Sequence, residues 1–282
     1  MSKGLLDPKV DFVFKNIFGS PNHPEILISF LNATLKAKKK IVNVDIKKTD
    51  IEKQYIEDKY SRLDVKATTS NDEIINIEIQ LKNENNMVKR SLYYLSKMYE
   101  EQLNEKEDYS KLVRTVCINI LNFKYLKTDN FHTGYRFKEI ESNEELTDIM
   151  EVHFIEIPKL QDSSDEKDML VAWTEFLKDP ESEKVRGLEL SIEEIRQAKD
   201  ELIRMSNDST QRELYDMRAN SLRDKMSELN AAERKGIEKG REEGREEGRK
   251  EEKIKIARNM KLSGIDTNTI AKITNLSEDE ID

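Results

Sequence analysis

Two acidic residues on neighbouring predicted strands are the side chains of this sequence that are best placed to do chemistry. SRLDVKA at residues 61–67 and IINIEIQ at residues 74–80 are apolar or alternating over strand length, and the intervening TTSNDE is typical of a turn. The pattern predicts a β-hairpin with Asp64 on its first strand and with Glu78 and Gln80 on its second. Side chains two residues apart share a strand face, so a modest register brings Asp64 beside Glu78 and Gln80.

Converging carboxylates favour a hard divalent cation. Mg²⁺ takes oxygen ligands at about 2.0–2.1 Å and keeps several waters, which two strand carboxylates and one main-chain carbonyl can accommodate. We therefore predict a metal site for phosphodiester chemistry. The alternative is a pair of solvated strand acids, but apolar flanks indicate that Glu78 lies on a strand covered in part on both faces, where an unpaired carboxylate is costly. These flanking residues are Ile74, Ile75, Ile77, Ile79 and Leu81.

An α/β core with a mixed sheet is predicted around the hairpin. Asp7 and Pro8 are typical of an N-cap and a first helical residue. The spacing of a helix over residues 86–104 and a strand over residues 113–121 favours a crossover to a parallel neighbour. The other predicted elements are a helix over about residues 23–36 and strands within residues 43–52, 131–140 and 150–157.

Other kinds of active site find little support in the composition. The histidines at positions 23, 132 and 153 are far apart and have no metal-ligand spacing. No glycine motif that could cradle a phosphate is present. The single cysteine, Cys117, lies in an apolar run and is predicted to be a core residue in a reducing compartment. Elimination favours carboxylate chemistry.

The charge is distributed unevenly along the 282 residues, whose net charge is -9. Residues 1–160 are close to neutral, whereas residues 161–230 hold 11 basic and 18 acidic side chains, so the overall acidity is a poor argument against a nucleic-acid partner. We predict a first domain over residues 1–160, an acidic helical region over 161–230, a glycine-spaced charged helix over 231–258 and a short element over 259–282. No run of eighteen apolar residues occurs, and we expect a soluble, cytoplasmic protein with no membrane partner.

Six blocks resemble the PD-(D/E)XK nuclease superfamily and, within it, the recombination-promoting nuclease (Rpn) and transposase family. The superfamily signature is an Asp on one strand and an acid-x-Lys on the next; here Gln80 stands in place of the Lys, a departure that resembles this branch. The resemblance covers about residues 5–160 and extends more loosely to the C-terminal helices. The blocks are DFVFKNIFG at 11–19, RLDVKA at 62–67, IEIQ at 77–80, RSLYYLSKMY at 90–99, DYSKL at 108–112 and FIEIPKL at 154–160.

The resemblance implies a PD-(D/E)XK restriction-endonuclease-like core with a mixed central sheet, followed by an all-α C-terminal extension. It also implies a Mg²⁺-dependent DNA endonuclease, with Mn²⁺ as a possible substitute. Asp64 and Glu78 would hold the metal with the Ile79 carbonyl, and Gln80 would orient the attacking water. Gln80 cannot act as a base or a cation. Lys66, two residues from Asp64 and on its face, could supply the missing charge or could equally be a surface lysine.

Five further residues are predicted to support the metal or to bind nucleic acid. Asp11 and Lys15 are four residues apart on a helix, and this spacing alone indicates an ordinary ion pair. The resemblance implies instead that this face of the helix lies toward the metal site. Arg90 and Tyr94 are also four apart, and a planar guanidinium suits a phosphate. The alternative for them is a packed tyrosine and a solvated arginine. Arg62, within RLDVKA, belongs to the same group.

The C-terminal extension contains glycines at a regular spacing of four residues. This ladder leaves a slowly spiralling strip without side chains, which permits close approach of another helix. We predict self-association through residues 210–258, with a fraying charged linker as the alternative. The glycines are Gly236, Gly240, Gly244 and Gly248.

The end of the chain is predicted to form two short helices joined by a tight turn. Gly264 ends one helix, Asp266 caps the next, a turn follows at Asn275, and Ser277 caps with Glu280. The arrangement resembles helix-turn-helix elements. Its low net charge favours a protein contact over sequence-specific DNA binding.

A second function class is compatible with the same residues. A nuclease fold with little catalytic activity could act as a binding or regulatory module through its C-terminal helices. Loss of an acid would indicate this, yet both Asp64 and Glu78 are present.

Overall fold

The structure is a computed structural model that describes residues 4–36, 39–47, 65–165 and 167–281. The chain divides into two compact units, Met1–Asn220 and Ser221–Asp282, each described by itself.

The first unit is built on a six-stranded sheet in the order β1-β2-β3-β4-β6-β5. The β3–β4 and β4–β6 pairs are parallel, and the other neighbouring pairs are antiparallel. The predicted α/β core with a mixed sheet is therefore confirmed. The strands are β1 (Val44–Lys47), β2 (Val65–Thr69), β3 (Ile74–Gln80), β4 (Thr115–Leu121), β5 (His132–Lys138) and β6 (Glu145–Glu156).

Nine helices are seen in the described parts of the chain. They are α1 (Asp11–Phe18), α2 (Pro24–Leu35), α3 (Met87–Glu100), α4 (Met169–Lys178), α5 (Glu183–Glu189), α6 (Glu193–Asn207), α7 (Ser209–Leu262), α8 (Thr267–Thr274) and α9 (Glu278–Ile281). The chain after residue 168 is helical, as predicted for the C-terminal extension.

The start of α1 differs from the prediction. Asp7 and Pro8 lie in a turn, the helix begins at Asp11, and Val10 occupies the N-cap without a side-chain hydrogen bond. The Asp7 carboxylate instead accepts a hydrogen bond of 2.9 Å from the main-chain N–H of Lys9, which closes that turn. The apolar side chains at helical spacing are nevertheless buried: Val10, Val13, Phe14, Ile17 and Phe18.

The sheet has helices on both faces. Helix α3 connects β3 to β4 and buries Met87 and Leu95 against Cys117, Leu121 and neighbouring residues of β6. The opposite face is covered by α1, whose C-cap Gly19 lies against Val65 of β2. Because β3 runs between these layers, five consecutive residues from Ile75 to Ile79 are buried. A polar side chain that points from β3 toward α3 is thus placed in the interior.

A partly buried ion-pair network joins the strands near the amino-terminal ends of β3 and β4. Arg114, just before β4, pairs with Glu73 and with Glu151 of β6. Arg136 of β5 also reaches Glu151, at 3.1 Å. These contacts connect β3, β4, β5 and β6. Removing one partner of such a pair is destabilising because it leaves a buried charge uncompensated.

The second unit contains the C-terminal part of α7 with α8 and α9. Its small core consists of Ala257, Ile270, Leu276 and Ile281. Gly264 has a φ of 85°, a conformation that favours glycine, and Asn275 also adopts a left-handed conformation. The Asp266 carboxylate caps α8 by accepting from the Thr269 N–H at 3.0 Å. The predicted helix, stop, cap and turn are confirmed.

No helix among the described residues is both long enough and apolar enough to cross a membrane.

Candidate functional site

Glu78 is a fully buried carboxylate in the middle of the sheet. It lies on β3, has 0% exposure, and is in register with Asn119 of the parallel strand β4. On the other side, β2 pairs Val65 with Ile77 and Lys66 with Asn76. Alternation along the strand places Asn76, Glu78 and Gln80 on the face that α3 covers.

The first turn of α3 supplies a positive partner for this carboxylate. Arg90 Nε donates to Glu78 Oε2 at 3.2 Å. The Arg90 guanidinium carbon also lies 5.4 Å from the centroid of the Tyr94 ring, a distance at which a cation and an aromatic ring attract. Since Tyr94 is buried, it fixes the position of Arg90. The structure therefore brings the predicted residues Arg90 and Tyr94 together with Glu78.

The second oxygen of Glu78 is available for another ligand. Within the parts of the chain described by the structure, the buried Oε1 atom has no hydrogen-bond partner. Burial raises the pKa of Glu78 above its ordinary value of 4.5, although Arg90 opposes this shift. A nearby divalent cation would favour the charged form and satisfy Oε1. The residue thus fits a hard cation, which prefers oxygen ligands.

Three predicted residues lie on β3 or on the neighbouring strand β2. Gln80 ends β3 half-buried, and its main-chain carbonyl accepts from the Asn122 N–H at 2.9 Å. Ile79 directly follows Glu78 on β3, and its buried side chain belongs to the opposite face of the sheet. Lys66 is in register with Asn76, and its Nζ lies 3.8 Å from Glu101 Oε2. Glu101 is the C-cap of α3, so the Lys66 ammonium lies toward the opposite end of that helix from Arg90.

Other predicted residues are placed elsewhere or lie outside the described residues. Asp11 pairs with Arg218 at 3.8 Å and accepts from the Phe12 N–H, so its role beside a metal stays a prediction. Lys15 is half-buried on the same helix. Asp64 and Arg62 lie outside the residues that the structure describes. Among the residues it does describe, no group of three or more His, Cys, Asp or Glu could hold a metal.

Two buried asparagines were missed by the sequence analysis. Asn76 and Asn119 are both 0% exposed and sit on the α3 face of the sheet. Both ends of the Asn119 amide are hydrogen-bonded: its Oδ1 accepts from Ser91 Oγ at 2.9 Å, and its Nδ2 donates to the His153 carbonyl at 3.1 Å. Ser91 follows Arg90, so this bridge ties the first turn of α3 to the sheet. An asparagine inside an apolar strand run was the available signal.

Cys117 also lies on this face. It is in register with Asn76. Burial, with a further contribution from the Glu78 carboxylate, raises the pKa of the Cys117 thiol to about 12. The thiol is therefore protonated near neutral pH, which excludes it as a nucleophile or thiolate ligand there.

Comparisons with known proteins identify two matching family models. Residues 8–232 match the model described as PD-(D/E)XK nuclease family transposase. Residues 250–282 match the model described as Rpn/YhgA-like nuclease family, C-terminal HTH domain. No curated protein and no solved structure matches the chain.

Proposed function

Since the chain belongs to the PD-(D/E)XK nuclease family of transposases, we propose that it is a Mg²⁺-dependent DNA endonuclease that hydrolyses phosphodiester bonds. The observation that carries the proposal is the buried Glu78 carboxylate, with one oxygen on Arg90 and the other lacking a hydrogen-bond partner within the described structure. The word transposase in the family description supports a role in recombination or mobile DNA as part of this proposal.

Asp64, Glu78 and the Ile79 carbonyl are the proposed ligands of the cation. When bound, Mg²⁺ or Mn²⁺ makes water easier to deprotonate and offsets charge on the transferring phosphoryl group. Asp64 directly precedes Val65, whose strand partner Ile77 directly precedes Glu78. This adjacency in sequence supports Asp64 as the second carboxylate.

The other site residues would orient the metal-binding carboxylate and the attacking water, and would add positive charge. Arg90 holds one oxygen of Glu78 and so fixes the direction in which the carboxylate presents the other. Gln80 orients the attacking water through its amide. Lys66 places a positive charge on the same face of the sheet.

Four further residues are assigned roles around this centre. Lys15 and Arg62 contact phosphates, Asp11 supports the site, and Tyr94 keeps the Arg90 guanidinium in place. The C-terminal unit adds a second DNA contact, which its match to an HTH domain supports over a protein contact.

Cleavage of supercoiled plasmid tests the proposal. We expect nicking with Mg²⁺ or Mn²⁺, none with EDTA, and none by the Asp64→Ala variant. Asp45→Ala is the matched control, because Asp45 is an exposed acid on β1 of the same sheet and should be dispensable. Nicking that persists in Asp64→Ala contradicts the proposed site. DNA binding without cleavage by the unaltered protein would instead identify a binding or regulatory module.

We also propose that two copies of the chain associate through α7. The helix runs without interruption through all four ladder glycines, and nothing described lies within 4 Å of the position that a Cβ would take on any of them. From Gly240 the sequence repeats Gly-Arg-Glu-Glu. At about 100° per residue, each Arg flanks the glycine strip on one side and the second Glu on the other.

This arrangement of charge favours parallel helices. In a parallel pair, the Arg flank of one helix meets the Glu flank of its partner, as at the e and g positions of coiled coils. In an antiparallel pair, like charges meet. The exposed Ile237, beside the first glycine, adds apolar area to the contact.

Replacing the four ladder glycines with alanine is expected to weaken this association because it thickens the strip. The same change should raise the helicity of the isolated segment, since each glycine costs about 1 kcal/mol against alanine. Sedimentation of the full chain, of the alanine variant and of a chain ending at Asn220 measures the effect. That truncation keeps the contacts of Arg212, Tyr215 and Arg218 with the N-terminal residues. A monomeric mass for the full chain would show that α7 is a linker.

A further inference from the structure

Asn76 is a second buried polar side chain beside the proposed cation site. It lies two residues before Glu78 on β3, on the same face, and is 0% exposed. Its neighbours in register are Lys66 on β2 and Cys117 on β4. Across the described parts of the chain, neither Oδ1 nor Nδ2 of Asn76 has a nitrogen or oxygen hydrogen-bond partner, and the thiol of Cys117 contributes a weak contact to the amide.

The contrast with Asn119 shows that this is not a general property of asparagines under α3. Asn119 uses both ends of its amide, toward Ser91 and the His153 carbonyl. Asn76 has no such partner at either end, and a weak contact with the Cys117 thiol leaves most of the desolvation penalty of its buried amide uncompensated. Glu78 Oε1 shares this condition. Two adjacent side chains on one strand therefore present unpaired polar atoms to the same interior region.

Water or a hydrated ion is the ligand that satisfies such a pair. The Cα atoms of residues two apart on a strand are separated by about 6.5–7 Å, given a rise of about 3.3 Å per residue. The amide offers both a donor and an acceptor, whereas the open oxygen of Glu78 is an acceptor when ionised. Mg²⁺ is reluctant to lose its waters and usually keeps several of them. A water on the cation can donate to the Asn76 oxygen.

We propose that Asn76 is a positioning residue for the cation, holding through its amide the waters of a hydrated divalent ion bound at Glu78 Oε1. This inference rests on the proposed function, which assigns the ion to Glu78 and assigns no role to Asn76. It explains why a costly polar group stands where an apolar residue would pack well.

Calorimetric measurement of Mn²⁺ binding tests the inference without an activity assay. Asn76→Leu is expected to weaken Mn²⁺ binding by about 10- to 100-fold, the range seen when a group that hydrogen-bonds to a metal ligand is removed. The metal-free Asn76→Leu protein should melt at the same temperature as the unaltered protein or higher, because an unpaired polar group is replaced by an apolar one of similar size.

Asn119→Leu is the matched control. It should lower the melting temperature of the metal-free protein, because Ser91 and the His153 carbonyl would lose their partner. A fall in the melting temperature of metal-free Asn76→Leu would show that Asn76 is a hydrogen-bonded structural residue and overturn the inference.

Glu78→Gln separates this inference from the function on which it rests. If Glu78→Gln loses Mn²⁺ binding and Asn76→Leu retains it in full, the role of Asn76 is wrong and the cation site stands. If the unaltered protein binds no Mn²⁺, the cation site is wrong, and the role of Asn76 falls with it.

Discussion

Glu78→Gln is expected to lower the rate of Mg²⁺-dependent DNA cleavage by about a thousandfold or more. Stabilisation by a metal ion contributes several kcal/mol to the transition state, and each 1.36 kcal/mol is about tenfold in rate. The substitution keeps the side-chain volume and an oxygen that can accept from Arg90 Nε, so the fold should survive. Initial rates of plasmid nicking measure the effect.

The same substitution should change how stability depends on pH. Because the folded pKa of Glu78 is raised above 4.5, the stability that this carboxyl contributes is greatest below 4.5 and falls as the pH rises through the folded pKa. Glutamine carries no such charge. Without metal at neutral pH, Glu78→Gln should therefore melt at a higher temperature than the unaltered protein, and the difference should narrow as the pH approaches 4.5.

Glu73→Gln provides the matched control for the cleavage rate and for the melting temperature. Glu73 is a buried glutamate just before β3, but it pairs with Arg114 at the far end of the strand. Its loss should destabilise the fold and leave the chemistry of folded protein intact. Full nicking activity in Glu78→Gln, with contaminating nuclease excluded by a mock preparation, would refute the assignment of Glu78.

Lys66→Ala is expected to slow cleavage by about a hundredfold or more if Lys66 supplies the charge that the motif lysine would have carried. Loss of a single stabilising contact to a developing negative charge costs about 10²–10³ in rate. Lys66 shares the α3 face of the sheet with Glu78, and its Nζ lies 3.8 Å from Glu101. Lys66→Arg keeps the charge and should retain more activity than Lys66→Ala.

Lys97→Ala controls for the general loss of positive charge. Lys97 is on α3 and pairs with Glu100, the residue next to the partner of Lys66. Its replacement should leave the cleavage rate within a few-fold of normal. Equal rates for Lys66→Ala and Lys97→Ala would make Lys66 a surface residue, with Gln80 and the cation left to activate water.

Features with a local cause could be predicted from the sequence. The hairpin of β2 and β3 follows from alternation and a polar turn, and each signal at the C-terminus acts within a few residues, as when Asp266 caps at Thr269. The predicted start of α1 was wrong because two local structures compete for Asp7. Its carboxylate can cap a helix or close a turn, and here it accepts from the Lys9 N–H.

Features that depend on packing could not be predicted. The bond between Arg90 and Glu78 requires the exact placement of α3 over β3, and the pairing of Arg114 with Glu151 joins residues far apart in the sequence. Burial of Asn76 follows only once β2, β4 and α3 are all in place. The hydrophobic periodicity and the composition of the sequence do not indicate which distant side chain forms the other half of such a contact.

The ion pair between Arg90 and Glu78 has a consequence for which metal the proposed site would select. With Oε2 engaged by Arg90, Glu78 offers a single oxygen to any ion. Ca²⁺ takes about 6–8 oxygen ligands and often both oxygens of one carboxylate, whereas Mg²⁺ accepts single oxygens and completes its octahedron with water. Discrimination against calcium would then reside in Arg90, a residue of the covering helix, rather than in the acids proposed to hold the metal.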